Sequence, residues 1–253
     1  MISLVELGLK YPTSKGKHGF LEIYENYFEK LRNNELNILE IGVENGDSLR
    51  VWSNYFVNSK ICGIDIVKKN FIIKNCELFC GSQSDSNFLL EIINKYKYFD
   101  IIIDDGSHQS KDIIFSFNFL FDHLKDGGLY VIEDLQTSYQ PRYGGSRFKL
   151  NKTNTSMNFV KSLADSINYE TKDKPFFKKK KFDGKVKSIF IHQNIAFIKK
   201  GASKNYFYGN LKKNTLSDKL KKKFLFFINK WKFILNYLRL FFQFFLLLVL
   251  DTI

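Results

Sequence analysis

The 253-residue sequence predicts an α/β fold: a doubly wound, mostly parallel sheet with an antiparallel edge strand and a C-terminal amphipathic helical tail. Three observations predict it. Short aliphatic runs alternate with amphipathic stretches from about residue 37 onward, which is the rhythm of repeated βαβ units. Two runs, Phe99-Asp-Ile-Ile-Ile and Leu129-Tyr-Val-Ile132, read as strands buried on both faces and end abruptly in Asp104-Asp-Gly-Ser-His108 and Glu133-Asp134. Open parallel sheets gather their ligands at such strand ends. Two later runs, Ser188 to His192 and Ile195 to Lys199, are joined too closely for a crossover and are expected to pair antiparallel.

Taken in order, the segment Tyr11-Pro-Thr-Ser-Lys-Gly-Lys-His-Gly-Phe20 is polar and glycine-containing, and precedes an amphipathic helix from about Leu21 to Leu31. A loop of this kind can close over a ligand. His18 within it reads as a surface histidine, with substrate contact as the alternative. Asn37 to Gly42 is a short buried strand, followed by Gly46 and a helix over Ser48 to Phe56 that Asp47 or Ser48 is expected to cap. The strand Lys60 to Asp65 ends in a carboxylate where αβ nucleotide folds grip ribose hydroxyls. A third strand near Cys76 to Phe79 leads to Gly81-Ser-Gln-Ser84-Asp85 and a helix over Asn87 to Tyr96. After the Phe99 strand comes a helix from Ser110 to Leu124 that is expected to stop at Lys125-Asp-Gly-Gly128. The loop Thr137 to Gly145 offers Tyr139 and Tyr143 for sugar stacking or for lid packing. A helix over Thr155 to Ser166 precedes the antiparallel pair.

The glycine loop bears on the class of cofactor. A pyrophosphate binder presents Gly-x-Gly-x-x-Gly, whereas this run is Glu40-x-Gly42-x-x-x-Gly46 with Glu44 inside it. Acid there repels phosphate and attracts a cation. S-adenosylmethionine carries a sulfonium and an ammonium and no phosphate, so it suits Glu40, Gly42 and Gly46, with Asp65 at the ribose and Ser84 and Asp85 near the adenine edge. Asp104 either contacts that cofactor or orients backbone. If the two acid-tipped strands are neighbours, Asp105, Glu133 and Asp134 offer oxygen ligands to a hard cation, and His108 stands beside them as a proton acceptor. The competing readings are a solvated turn or helix cap for Glu133-Asp134 and a structural histidine for His108.

Leu39-Glu-Ile-Gly-Val, Gly81-Ser-Gln-Ser-Asp, Asp104-Asp-Gly-Ser-His and Val131-Ile-Glu-Asp-Leu, with the downstream Tyr-x-Pro-x-Tyr-Gly-Gly, resemble the metal-dependent sugar O-methyltransferases and the cephalosporin hydroxylase-like group. The opening Ser-Lys-Gly-Lys-His-Gly and Tyr24-Glu-x-Tyr-Phe28 resemble the start of that domain, so the likeness spans about residues 10 to 200. It implies a Rossmann-like class I methyltransferase fold, magnesium on Asp105, Glu133 and Asp134, and His108 as general base. The sequence is expected to depart from the macrolide-acting members in lacking their N-terminal auxiliary domain, so the acceptor is not carried over.

The net charge of +13 is unevenly placed: residues 171–253 hold 20 Lys and Arg against four Asp, which leaves the first 170 residues slightly acidic. An acidic catalytic part argues against a nucleic acid lying across it, and the basic tail argues for an anionic surface. Biased codon composition is the bland alternative for part of that excess. Three cysteines without metal-site spacing, and an N-terminus unlike a secretory signal, predict a reduced cytoplasmic setting. Residues 219–250 are apolar apart from a helical stripe of Asn229, Lys232, Asn236, Arg239 and Gln243. Leu240 to Leu250 is short of the roughly 20 residues a spanning helix needs, so the tail is expected to lie peripherally on the membrane or to pack on a second subunit in a homo-oligomer. The expected reaction is methylation of a sugar hydroxyl in a surface polysaccharide or its activated precursor. A non-catalytic glycan-binding protein and a nucleic acid methyltransferase are the alternatives.

Overall fold

The computed structural model describes residues 2–169, 178–202 and 223–232. The chain divides into two units, residues 1–204 and 205–253. In the first, seven strands form one sheet: β1 (Asn37–Ile41), β2 (Lys60–Asp65), β3 (Cys76–Cys80), β4 (Phe99–Asp104), β5 (Leu124–Ile132), β6 (Val186–His192) and β7 (Ile195–Lys200), in the order β3-β2-β1-β4-β5-β7-β6. β1 to β5 run parallel, and β7 pairs antiparallel with both β5 and β6. The direction of winding reverses between β1 and β4, which opens a crevice at their carboxyl ends. Register sets what meets there. Ile41 pairs with Asp104, and Asp104 with Ile132, so the residues just beyond the three tips stand level.

Among the described residues of this unit, seven helices cover the sheet: α1 (Leu4–Lys10), α2 (Ser14–Lys17), α3 (Phe20–Phe28), α4 (Asp47–Tyr55), α5 (Ser86–Tyr96), α6 (Ser110–Leu120) and α7 (Ser156–Ile167). Alternation along β4 sends Ile102 to one face and Ile101 and Ile103 to the other, all three fully buried. Ile102 joins Leu89, Ile92, Phe117 and Leu163 of α5, α6 and α7, while Ile101 and Ile103 join Leu4, Tyr24 and Trp52 of α1, α3 and α4. Burial of each such side chain stabilises the fold by about 1.5–3 kcal/mol. The two layers hold the strand tips rigidly from both sides.

One helix is added to the expected elements, and two expectations change. The residues before Tyr11 form α1, whose Ser3 and Glu6 make a reciprocal capping box; the Ser-x-x-Glu spacing is visible in the sequence. α6 stops at Leu120 and a 3-10 turn spans Phe121–His123, so Lys125-Asp-Gly-Gly128 belongs to β5 rather than ending a helix. Gly127, at φ 88°, lets that strand depart from regular pairing between Phe99 and Ile101 of β4. The N-cap of α4 is Gly46 and no side chain caps it: Ser48 is drawn instead to Glu40, and Asp47 to Arg50.

In the second unit a helix covers 223–232 and exposes Phe224, Leu225, Phe226, Phe227 and Trp231. The rest of the tail expected over 219–250 lies outside the described residues. Among the described residues, no helix is long and apolar enough to cross a membrane.

Candidate active site

The loop after β1 is shaped by how closely it passes the loop after β4. Gly42 has φ 83°, and a Cβ there would lie 2.2 Å from the carbonyl oxygen of Asp105. A Gly42→Ala variant is expected to lose at least about 1–3 kcal/mol of stability, from the left-handed backbone alone, in urea unfolding. Asp65 secures the same loop. Its Oδ2 accepts from the amides of Val43 and Glu44, both at 3.1 Å, and pairs with Lys69, while Oδ1 accepts from Val67. Burial opposes its charge, but those amides and Lys69 hold the carboxyl below its ordinary value.

Two cavities flank Gly42. One, of about 170 Å³, is bordered by Asp65, Gly81, Ser82, Gln83 and Ser107. The other, of about 240 Å³, lies between the opening segment and the loop carrying Glu44 and Asp47, with Asp105 on its wall. Of the residues expected around a cofactor, Gly42 and Asp65 therefore line cavity walls, while Gly46 shapes the loop: a Cβ on it would strike the Phe71 ring. Ser84, Asp85 and Asp104 are turned to other work. Asp85 caps α5 by accepting from Asn87 and Phe88. Ser84 donates to Asp112 at 2.7 Å. Asp104, 1% exposed, accepts from Gln83, Ser116 and Tyr130. Burial pushes its carboxyl up to about 6 against those bonds. It acts on the cavity through Gln83, whose Oε1 in turn accepts from the Ser107 amide at 2.8 Å.

Asp105, His108 and Asp134 come together at the tips of β4 and β5, with one ligand atom of each within 4.8 Å of the others. His108 Nε2 is 3.5 Å from Asp134 Oδ2, and the ring of Tyr143 stands edge-on to the imidazole. Both His108, at φ 57°, and Asp134, at φ 52°, adopt the left-handed backbone that side chains other than glycine usually avoid. Strain of about 1–3 kcal/mol per residue is tolerated at sites where aim matters more than stability. His18 borders a third cavity beside Asp134. Tyr139 is 37% exposed and lines none of these three cavities.

Glu133, expected with Asp105 and Asp134, meets Asp105 across Lys15 and faces inward at 2% exposure. It accepts from Tyr24 at 2.5 Å and pairs with Lys15 at 2.9 Å. Lys15, 1% exposed, also lies 2.5 Å from Asp105 Oδ2 and 3.2 Å from Glu40 Oε1, the last outside hydrogen-bond geometry. Burial opposes the ammonium charge, but the Asp105, Glu133 and Glu40 carboxylates outweigh it and hold Lys15 charged well above the ordinary lysine range. Burial and the nearby Asp105 charge push the Glu133 carboxyl up, while Lys15 and Tyr24 pull it down. One ammonium thus serves Glu40, Asp105 and Glu133, with Asp134 unbalanced nearby. An oxygen-rich set of carboxylates suits a hard divalent cation. Lys15, Tyr24 and Gln83 hold the acids of the site, and the sequence reading did not single them out, although all three sit in stretches it quoted.

No protein-family model matches the chain. Mycinamicin VI 2''-O-methyltransferase of Micromonospora griseorubida is 37% identical over 209 residues, 78% of this chain and 52% of that protein. The demethylmacrocin O-methyltransferase of Streptomyces fradiae is 37% identical over 211 residues, 79% of this chain and 53% of that protein. The chain is homologous to S-adenosylmethionine-dependent sugar O-methyltransferases. It spans about half the length of those curated relatives. The solved methyltransferase MycE of the mycinamycin pathway, in complex with magnesium and S-adenosylhomocysteine, superposes with a TM-score of 0.78 at 34% identity, covering 85% of this chain and 59% of that one. Homology to these methyltransferases accounts for the sheet order and the crevice described above.

Proposed function

We propose that this chain transfers the methyl group of S-adenosylmethionine to a sugar hydroxyl in a magnesium-dependent reaction. The observation that carries the proposal is the convergence of Asp105, His108 and Asp134 beside two cavities that meet at Gly42. The Asp65 cavity suits the adenosine, and the one with Glu44, Asp47 and Asp105 on its wall the cationic methionine portion. His108 takes the hydroxyl proton; the oxygen attacks the methyl carbon as its bond to sulfur breaks, leaving S-adenosylhomocysteine. Asp134 orients the imidazole and offsets the positive charge it gains. Asp105 and Asp134 would hold the cation, with Glu133 as the third oxygen ligand expected from the sequence. Magnesium, when bound, makes a coordinated hydroxyl more acidic.

The test is incubation with labelled S-adenosylmethionine and a panel of nucleotide sugars, capsular oligosaccharides and glycosylated macrolides, with and without EDTA. Transfer to a sugar that stops on chelation and returns with magnesium is the expected result; transfer that survives exhaustive chelation removes the metal from the proposal. Glu133→Gln examines the third ligand. If Glu133 reaches the cation, calorimetric magnesium affinity falls by tenfold or more; an unchanged affinity confines Glu133 to pairing with Lys15.

The finer reading is that the acceptor belongs to a bacterial surface glycan and that the protein works at the cytoplasmic face of the membrane. The curated relatives are named for sugars on macrolides and tetracenomycins. What supports the membrane setting is the helix over 223–232, where exposed Phe224, Phe226, Phe227 and Trp231 accompany Lys223, Lys230 and Lys232. Full-length protein is expected to sediment with anionic vesicles while a version ending at Lys204 stays in solution; equal behaviour defeats that reading and favours a subunit contact.

A further inference from the structure

We propose that the cavity beside Asp134 is the acceptor site and takes a single pyranose ring, read chiefly by Gln193 and Asn194. The inference rests on the methyl-transfer reading and adds where the acceptor lies. The cavity, of about 300 Å³, is lined by His18 of the opening segment, Phe20 and Ile23 of α3, Gln193 and Asn194 of the β6–β7 turn, and Asp134 and Gln136.

Its position is the first argument. Asp105 borders the cavity assigned to the methionine portion of the cofactor and Asp134 borders this one, while His108 joins the two acids within 4.8 Å. A hydroxyl entering from the Asp134 side meets the imidazole with the methyl donor beyond it.

Its chemistry is the second. A pyranose presents an apolar face of C–H groups and a rim of hydroxyls that both donate and accept. Phe20 and Ile23 offer apolar surface, and the amides of Gln136, Gln193 and Asn194 both donate and accept. The Gln193 and Asn194 side chains make no hydrogen bond to the described residues, yet their turn is fixed: the Leu135 amide donates to the Asn194 carbonyl at 2.9 Å. Gln136 Nε2 donates to Asp134 Oδ1 at 2.9 Å, and its carbonyl oxygen is buried with no hydrogen-bond partner. Asp134 repels a phosphate, so the cavity suits the uncharged ring. Its volume lies at the lower end of the roughly 300–1,000 Å³ typical of ligand cavities, which favours one ring over an oligosaccharide.

The test uses methyl glycosides of rhamnose, glucose, galactose and mannose with full-length wild type, Gln193→Ala and Asn194→Gly. Asn194 has φ 65°, so glycine keeps the backbone while deleting the amide. Saturation-transfer NMR reports glycoside binding and labelled S-adenosylmethionine reports turnover. The expected result is that at least one glycoside binds wild type, and that each substitution weakens it, or raises its KM, about tenfold with cofactor affinity unchanged. Binding equal in all three proteins, or no glycoside bound by wild type, overturns the site. Methyl transfer to a sugar with kinetics untouched by both substitutions also overturns it, while sustaining the reading it rests on. Binding lost in both variants without any methyl transfer by wild type upholds the cavity as a sugar site and overturns the methyl-transfer reading instead.

Discussion

Lys15→Met is expected to cost about 3–5 kcal/mol of stability, read as a lower urea midpoint at an unchanged slope. The reason is the imbalance it leaves. Glu40 and Glu133 are buried at 0% and 2% exposure, Asp105 is largely buried, and all three lie within 3.2 Å of the same ammonium. Removing one partner of a buried ion pair leaves uncompensated charge in a poorly solvating interior, which costs more than the pair contributes. The companion variant Lys15→Met/Glu133→Gln removes one of the orphaned carboxylates and is expected to recover part of the loss, with a coupling of about 0.5–3 kcal/mol in a double-mutant cycle. A single variant within 1 kcal/mol of wild type would show that water reaches the cluster and that Lys15 is not its counter-charge.

His108→Ala is expected to lower kcat by about 10²- to 10⁴-fold while leaving S-adenosylmethionine affinity near wild type. His108 lines neither of the cavities assigned to the cofactor, so its removal leaves their walls standing. His108→Asn separates strain from chemistry: asparagine tolerates the left-handed backbone at φ 57° better than alanine, so it should restore stability without restoring turnover. Loss of cofactor binding in either variant would move His108 from proton transfer to cofactor contact.

The polar residues gathered at strand ends were legible because a buried parallel strand announces itself locally. The aliphatic run through Ile101, Ile102 and Ile103 must be covered on both faces, and the polar residues that follow can only stand at its mouth. Asp65 was found the same way, at the tip of β2. The cap made by Asp85 was not legible, because an acid after Gly-Ser-Gln-Ser serves equally well beside a cofactor or at a helix start, and the bonds to Asn87 and Phe88 appear only in the fold. The end of α6 was misread because Gly127-Gly128 is also a common helix stop, and pairing with β4 overrode that local preference.

The sequence by itself determined the alternating strands and helices and the acids and histidine at the tips of β4 and β5, since burial period and chain direction are properties of neighbouring residues. Tertiary structure alone decided that Lys15 pairs with an acid 90 residues away, that Tyr24 bonds one 109 residues away, and that His108 and Asp134 are held in left-handed backbone. The cost of burying a charge, and the strain a backbone can bear, depend on what the whole fold packs around it, and no stretch of sequence contains its own surroundings.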